Sequence, residues 1–271
     1  MSRNIDCIER KNNQNKLIFS KINDISRLFA DLGLNKGDIV LIHSNVASLG
    51  KVEKGLEGIF FAVREIIGNE GTLVVPTFTF SFCRGKVFDV KKSKSENGVF
   101  TEYVRKLPGT VRSPHGITSF AAIGQEAIPM MSMSDKTSYG PGSIPGNLRN
   151  AGCKVLQIGV PVISHTHYVE RLVGVEYRYD KEFDGTIYDG SIEFEETCSL
   201  YVRRNDRVVK KLVERDSRIE FFTSDLCREK NLAYGIHRLF NVEDFVSFTA
   251  KRLTKNPFCL IDKDAYLKDI V

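Results

Sequence analysis

At 271 residues and 42% apolar side chains, the chain is long enough for one large α/β domain or two small ones and can build the core. Its 39 lysines and arginines exceed its 34 acids by five. The excess is spread along the chain, which excludes a nucleic-acid-binding arm and suits collection of an anionic small molecule. No apolar window approaches the ~20 residues that span a bilayer. Met1–Arg10 holds no export signal, and the six cysteines form no Cys-x-x-Cys pair, so reduced thiols, a cytoplasmic location and no membrane partner are expected.

Taken in order, the periodicity predicts a helix over Lys21–Leu32, capped by Ser20 and closed by Gly33, then a buried strand over Ile39–Ile42. A loop from His43 to Gly50 precedes a helix over about Val52–Ile67 and a strand over Thr72–Val75 that ends at Pro76. This is a βαβ unit, which places the chain in the α/β class. The polar stretch Ser81–Asn97 reads as a mobile surface loop. A short helix over Phe100–Leu107, an ordered stretch over Val111–His115 and a strand over Ser119–Ile123 follow. Tyr139–Gly146 is loop by its glycines and prolines; Asn147 then caps a short helix, and Lys154–Val160 is a further strand. Beyond Glu176, alternation such as that of Ile192–Tyr201 predicts antiparallel strands with one wet face, before a last helix over about Val242–Leu253. With no internal repeat and no linker, residues 1–271 are expected to form a single domain.

Three polar segments stand at strand ends, where open α/β sheets place ligands. In Ser164–Glu170, His167 and Glu170 are three apart, so a helix puts them on one face, where the carboxylate can orient the imidazole as a base. An ordinary helix-edge histidine is the competing reading, and His165-Thr166-His167 lacks the third ligand that a metal site needs. His43–Gly50 turns from strand to helix and offers backbone N–H groups to phosphate or carbonyl oxygens, without a P-loop or a dinucleotide fingerprint. Arg112–Ser119 supplies a guanidinium, hydroxyls and an imidazole suited to an anion. No Gly-x-Ser-x-Gly elbow is present, so a serine nucleophile is not indicated.

In this order, the segments resemble the aminoglycoside 3-N-acetyltransferase family. His43-Ser44-Asn45-Val46-Ala47-Ser48-Leu49-Gly50 is similar to its His-Ser-Ser-Leu-Ser loop, and Pro76-Thr77-Phe78-Thr79 to its Pro-Thr-Phe-Thr strand end. Arg112–Gly124 resembles its Arg-Ser-x-His-Pro element, Gly142-Ser143-Ile144-Pro145 its Gly-x-x-Ser-Pro loop, and Ser164–Glu170 its Thr-x-x-His-x-x-Glu. The resemblance implies a three-layer α/β/α fold with a mixed central sheet, its antiparallel strands in the C-terminal third. It implies acetyl-CoA or another acyl-CoA as co-substrate, no metal, and transfer of the acyl group to the amine of an amino sugar. By position it makes His167 the base and Glu170 its acid partner. It places His43, Ser44, Asn45, Val46, Arg112, Ser113, His115 and Ser119 at the cofactor, and Thr77, Phe78 and Thr79 at the acceptor. The sequence departs from the family at Gly116, where the family has proline, and at Ser164, where it has threonine.

Aminoglycosides are polycations, yet residues 71–170 hold few acids and the chain is net positive. Charge therefore favours a nucleotide-linked deoxyamino sugar for surface glycan synthesis as acceptor, with an antibiotic-resistance aminoglycoside acetyltransferase as the alternative. An acyl-CoA hydrolase that activates water through the same His and Glu, and a non-enzymatic CoA- or sugar-binding module, are the readings from other classes. A homodimer is left open.

Overall fold

The computed structural model describes residues 17–132, 135–204 and 217–268. The segment Met1–Arg10 read above lies outside them. β1 (Phe19–Ser20) leads into α1 (Ile22–Leu32), whose Ile25, Leu28, Phe29 and Leu32 are buried at helical spacing. Gly33 closes α1 in the left-handed region at φ 100°, as expected. Ser20 does not cap it: Lys21 holds the N-cap position, and the Ser20 hydroxyl donates to the Leu49 carbonyl at 2.6 Å. Ser20 is committed to β1, which pairs in parallel with β3 (Lys51–Val52). That pairing also takes Val52 out of the next helix.

β2 (Ile39–Ser44) runs into a 3₁₀ turn (Val46–Leu49) before β3, α2 (Leu56–Ile67) and β4 (Thr72–Pro76). β5 (Phe88–Asp89), α3 (Val99–Arg105), β6 (Val111–Arg112), β7 (Phe120–Gly124), α4 (Ala127–Ser132) and α5 (Ile144–Asn150) follow. The cap of α5 is Ser143, which accepts from the Gly146 N–H, and not Asn147; Pro145 sits in its first turn, where a missing N–H does no harm. The chain continues through β8 (Lys154–Ile158), α6 (His165–Val173), β9 (Arg178–Tyr188), β10 (Glu193–Arg203), α7 (Ser217–Phe222), β11 (Cys227–Leu232), β12 (Gly235–Asn241), α8 (Val242–Lys255) and α9 (Lys263–Lys268).

Seven strands form the main sheet in the order β11-β12-β8-β2-β4-β7-β6. β8, β2 and β4 are parallel and the outer strands antiparallel, so the sheet is mixed as expected. Strand alternation sends side chains to two separate cores. Val40, Ile42, Leu73, Val75, Leu156 and Ile158 pack with α1, α2 and α3 on one face. Leu41, Val74, Ala122 and Val155 pack with α4, α5, α6 and α8 on the other. This is the three-layer α/β/α arrangement. No helix among the described residues is long and apolar enough to cross a membrane.

A second sheet, β10-β9-β5, carries a small core of Phe82, Phe88, Ile117, Ile187 and Cys198. The Ser81–Asn97 stretch, read as a mobile loop, is therefore anchored: Phe82 and Phe88 are buried, and β5 pairs in parallel with β9. The departure at Gly116 has its reason here. A Cβ on Gly116 would lie 2.7 Å from the Phe82 ring and one on Gly185 2.8 Å from it, so the ring needs both positions bare.

Candidate active site

The parallel strands β2, β4 and β8 bring their carboxyl ends to one edge of the sheet. β7 runs the other way, with Phe120 opposite Pro76, so the Arg112–Ser119 segment arrives at the same edge. The three sequence segments thus converge at the switch from strand to loop.

Beyond β8 the chain turns at Gly159 (φ 65°), where a Cβ would meet the Ser48 hydroxyl at 2.0 Å. Ser48 belongs to the turn after β2, whose Asn45 N–H donates to the Ile158 carbonyl at 2.8 Å. The two loops are locked back to back. Gly159→Ala should therefore lower stability by about 1–3 kcal/mol, from a side chain in the left-handed region plus overpacking. Urea melts of the variant check this, and an unchanged midpoint would refute the clash.

Ser164 then reaches back to β2: its N–H donates to His43 Nε2 at 3.4 Å, and its hydroxyl lies 3.3 Å from the same nitrogen. A shorter side chain at the position of the family threonine keeps this link from the start of α6 to the sheet. Burial, with the charge of His165 adding to it, pushes His43 down to about 3, so it is neutral. His165 donates Nε2–H to the Pro145 carbonyl at 3.0 Å, and burial pushes it down to about 4. His115 accepts two backbone N–H groups, from Ile117 at 3.2 Å and Thr118 at 3.1 Å, and burial pushes it down to about 4 as well. His237 is buried against the Leu232 carbonyl.

His167 differs from these four. It is the one histidine whose side chain keeps substantial exposure, 28%, against 6% or less for each of the others. Helix α6 places its Nδ1 2.6 Å from Glu170 Oε2, as the spacing predicts. The carboxylate fixes the proton on Nδ1 and so makes Nε2 the basic nitrogen. Glu170 is itself buried and held by two residues that sequence reasoning did not find. Arg178 Nε lies 2.7 Å from Oε2, and the Tyr177 hydroxyl donates to Oε1 at 3.1 Å. Burial would raise the Glu170 pKa, but the His167 hydrogen bond and charge, Arg178 and Tyr177 outweigh it and hold the carboxyl below its usual range. Arg178 matters for a second reason. A lone buried carboxylate would pin the imidazole in its protonated form, whereas a paired one orients it with less pull on the proton. Tyr139 completes the setting with its ring edge-on to His167, centroids 5.5 Å apart.

The other expected site residues divide. Ser44 and Val46 are half-buried and Asn45 is exposed, so this turn keeps a solvent-facing edge. Arg112, Ser113 and Ser119 lie beneath the surface with their polar groups engaged internally. Arg112 donates to the Thr77 carbonyl at 2.6 Å, the Thr79 hydroxyl at 2.9 Å, the Ser119 hydroxyl at 3.1 Å and the Ser93 carbonyl at 2.5 Å, and it stacks over Phe88 at 4.7 Å. Ser113 Oγ accepts the Phe120 N–H at 3.0 Å, and Ser119 Oγ donates to the Thr77 carbonyl at 2.8 Å. These residues shape the site from below. Thr77, Phe78 and Thr79 are likewise buried, with Phe78 stacked edge-on against Phe120. Among the described residues no group of three or more His, Cys, Asp or Glu is placed to hold a metal ion.

Comparison with known proteins matches this arrangement to one family. The family model described as aminoglycoside 3-N-acetyltransferase matches residues 41–254. The chain is 30% identical over 170 residues to aminoglycoside N(3)-acetyltransferase VII of Streptomyces paromomycinus, covering 55% of this chain and 59% of that one. It thus spans under two thirds of that relative's length. It is 25% identical over 236 residues to aminoglycoside N(3)-acetyltransferase IV of Salmonella sp, covering 85% of this chain and 86% of that one. Among solved structures, AAC-IIIb in its binary complex with CoASH superposes with a TM-score of 0.76 at 23% identity, over 88% of this chain and 97% of that one. The names of these relatives specify aminoglycosides, so they fit the alternative acceptor better than the nucleotide-linked sugar that charge favoured. With the family model spanning most of its length, the chain belongs to the aminoglycoside 3-N-acetyltransferase family.

Proposed function

We propose that the chain is an acyl-CoA-dependent N-acyltransferase that acetylates an amine of an aminoglycoside, with His167 as general base. The observation that carries this reading is the half-exposed His167, oriented by a buried carboxylate that Arg178 and Tyr177 hold in turn. An amine attacks a thioester carbonyl only through its free lone pair, so it must lose a proton on the way to the amide. His167 Nε2 takes that proton, the carbon–sulfur bond breaks, and the thiolate leaves as the thiol once protonated. The Ser44–Val46 turn at the same sheet edge, with Asn45 exposed, supports acyl-CoA uptake at this surface.

Thiol release from acetyl-CoA tests this directly. With gentamicin or sisomicin as acceptor, release should far exceed the amine-free rate, because a bound amine is the nucleophile that the base serves. Equal release without amine would make the protein a hydrolase. Release only with a nucleotide-linked amino sugar would restore that acceptor in place of the aminoglycoside.

A further inference from the structure

Beside the acceptor segment lies a groove of about 480 Å³ whose walls and floor come from Thr79 and from residues 81–96. Three cations line it, Arg84, Lys86 and Lys94, and all three are exposed. None forms an ion pair with a described residue, unlike Arg105 and Lys106, which both pair with Glu102. Glu96 is the one carboxylate in the lining, and its Oε1 accepts the Ser81 N–H at 3.0 Å. Asp89, the other acid of the segment, lies outside the lining and accepts the backbone N–H groups of Lys91 and Lys92 at 2.9 and 2.8 Å. The groove therefore carries an unbalanced positive charge.

It is also built rather than loose. Arg112 ties its floor to its wall, bonding both the Thr79 hydroxyl and the Ser93 carbonyl. The Asp89 N–H donates to Ser93 Oγ at 2.9 Å, and the Ser95 N–H donates to Glu102 at 2.9 Å. Cations and hydroxyl groups lining one groove on a fixed backbone match a phosphate group, which offers two negative charges and three acceptor oxygens. They would repel a polycation. The groove opens at Thr79, whose hydroxyl accepts from Arg112, at the sheet edge where the three polar segments meet.

We infer that this groove binds a phosphate group of a ligand at the active site, held by Arg84, Lys86 and Lys94. The inference deepens the acyl-transfer reading and rests on it for the ligand's identity, because the phosphate belongs either to the acyl-CoA or to a phosphorylated amino-sugar acceptor. Isothermal titration of the full chain with adenosine 3′,5′-bisphosphate, and separately with glucosamine 6-phosphate, tells the two sources apart. At least one probe should bind, and the triple variant R84S/K86S/K94S should weaken it tenfold or more while melting at the wild-type temperature. Loss confined to the bisphosphate assigns the groove to the cofactor; loss confined to the sugar phosphate assigns it to the acceptor. No binding of either probe at millimolar concentration, or equal binding by the variant, overturns the inference. Acetyl transfer measured in parallel separates the two readings. Turnover in a wild-type protein that binds neither probe sinks the groove alone, whereas probe binding without turnover toward any amine sinks the transferase reading alone.

Discussion

His167→Ala should lower kcat for acetyl transfer by about 10²–10⁴-fold, the range that a positioned general base contributes. The side chain is half-exposed and its removal leaves no cavity in the core, so the fold should survive. Circular dichroism and a melting curve matching the wild type would confirm that the loss is chemical. The wild-type rate should fall on the acid side, where a base carries its proton, and the variant should lose that limb. Glu170→Gln should cost less than His167→Ala, because an amide can still accept from Nδ1 at the 2.6 Å position but supplies no charge to the developing imidazolium. It should nevertheless destabilise the fold, since Arg178 would keep its buried charge without a counter-ion. A loss below tenfold for His167→Ala at every pH would remove His167 from the base's role.

Folding stability should drop steeply between about pH 6.5 and 4, and the cause is histidine burial. His43, His115 and His165 are enclosed as neutral rings, with folded values of about 3, 4 and 4. In the unfolded chain each titrates near 6.5. Their stabilising effect is thus fully present above that value. As pH falls the unfolded state binds up to three protons that the folded state refuses. At 1.36 kcal/mol per proton per pH unit, the slope reaches about 4 kcal/mol per unit. By pH 5 that loss amounts to about 6 kcal/mol, enough to unfold a protein at the low end of the typical range of about 5–15 kcal/mol. Glu170 works in the same direction lower down. Its depressed pKa stabilises the fold above the ordinary carboxylate range, and that contribution is lost as pH falls through it. Urea-denaturation free energies at pH 8, 7, 6 and 5 measure the slope. A flat profile between pH 7 and 5 would mean that the buried histidines are protonated in the folded state, contrary to their hydrogen bonds. The two expectations also interact, because the acid limb of activity has to be read above the unfolding zone.

Much of this protein is written in local patterns. The helical stripe of Ile25, Leu28, Phe29 and Leu32, the apolar strand before His43 and the three-residue spacing of His167 and Glu170 each follow from periodicity, and the structure places them accordingly. The edge strand β11, with the sequence Cys-Arg-Glu-Lys-Asn-Leu, gave no such signal, because most of its side chains face solvent and carry no apolar alternation. Ser20 was misread for a related reason. Its hydroxyl suits a cap, but pairing with Val52, thirty-two residues away, outweighs a local preference.

The division at the active site is the same. Residue type and spacing along one helix were enough to pair His167 with Glu170. Five histidines and a set of polar residues look alike in sequence, however, and burial is what separates them. Packing buries His43, His115, His165 and His237 as neutral rings, turns Arg112 inward as a brace, and leaves His167 an exposed edge. Arg178 and Tyr177 reach Glu170 because α6 ends at Gly174 and the chain turns back into β9. Local sequence determines which groups can form a base, since hydrogen-bond spacing on a helix is a short-range property. Only the tertiary structure decides which imidazole stays accessible and which charge balances its partner, since desolvation and ion pairing depend on everything packed around them.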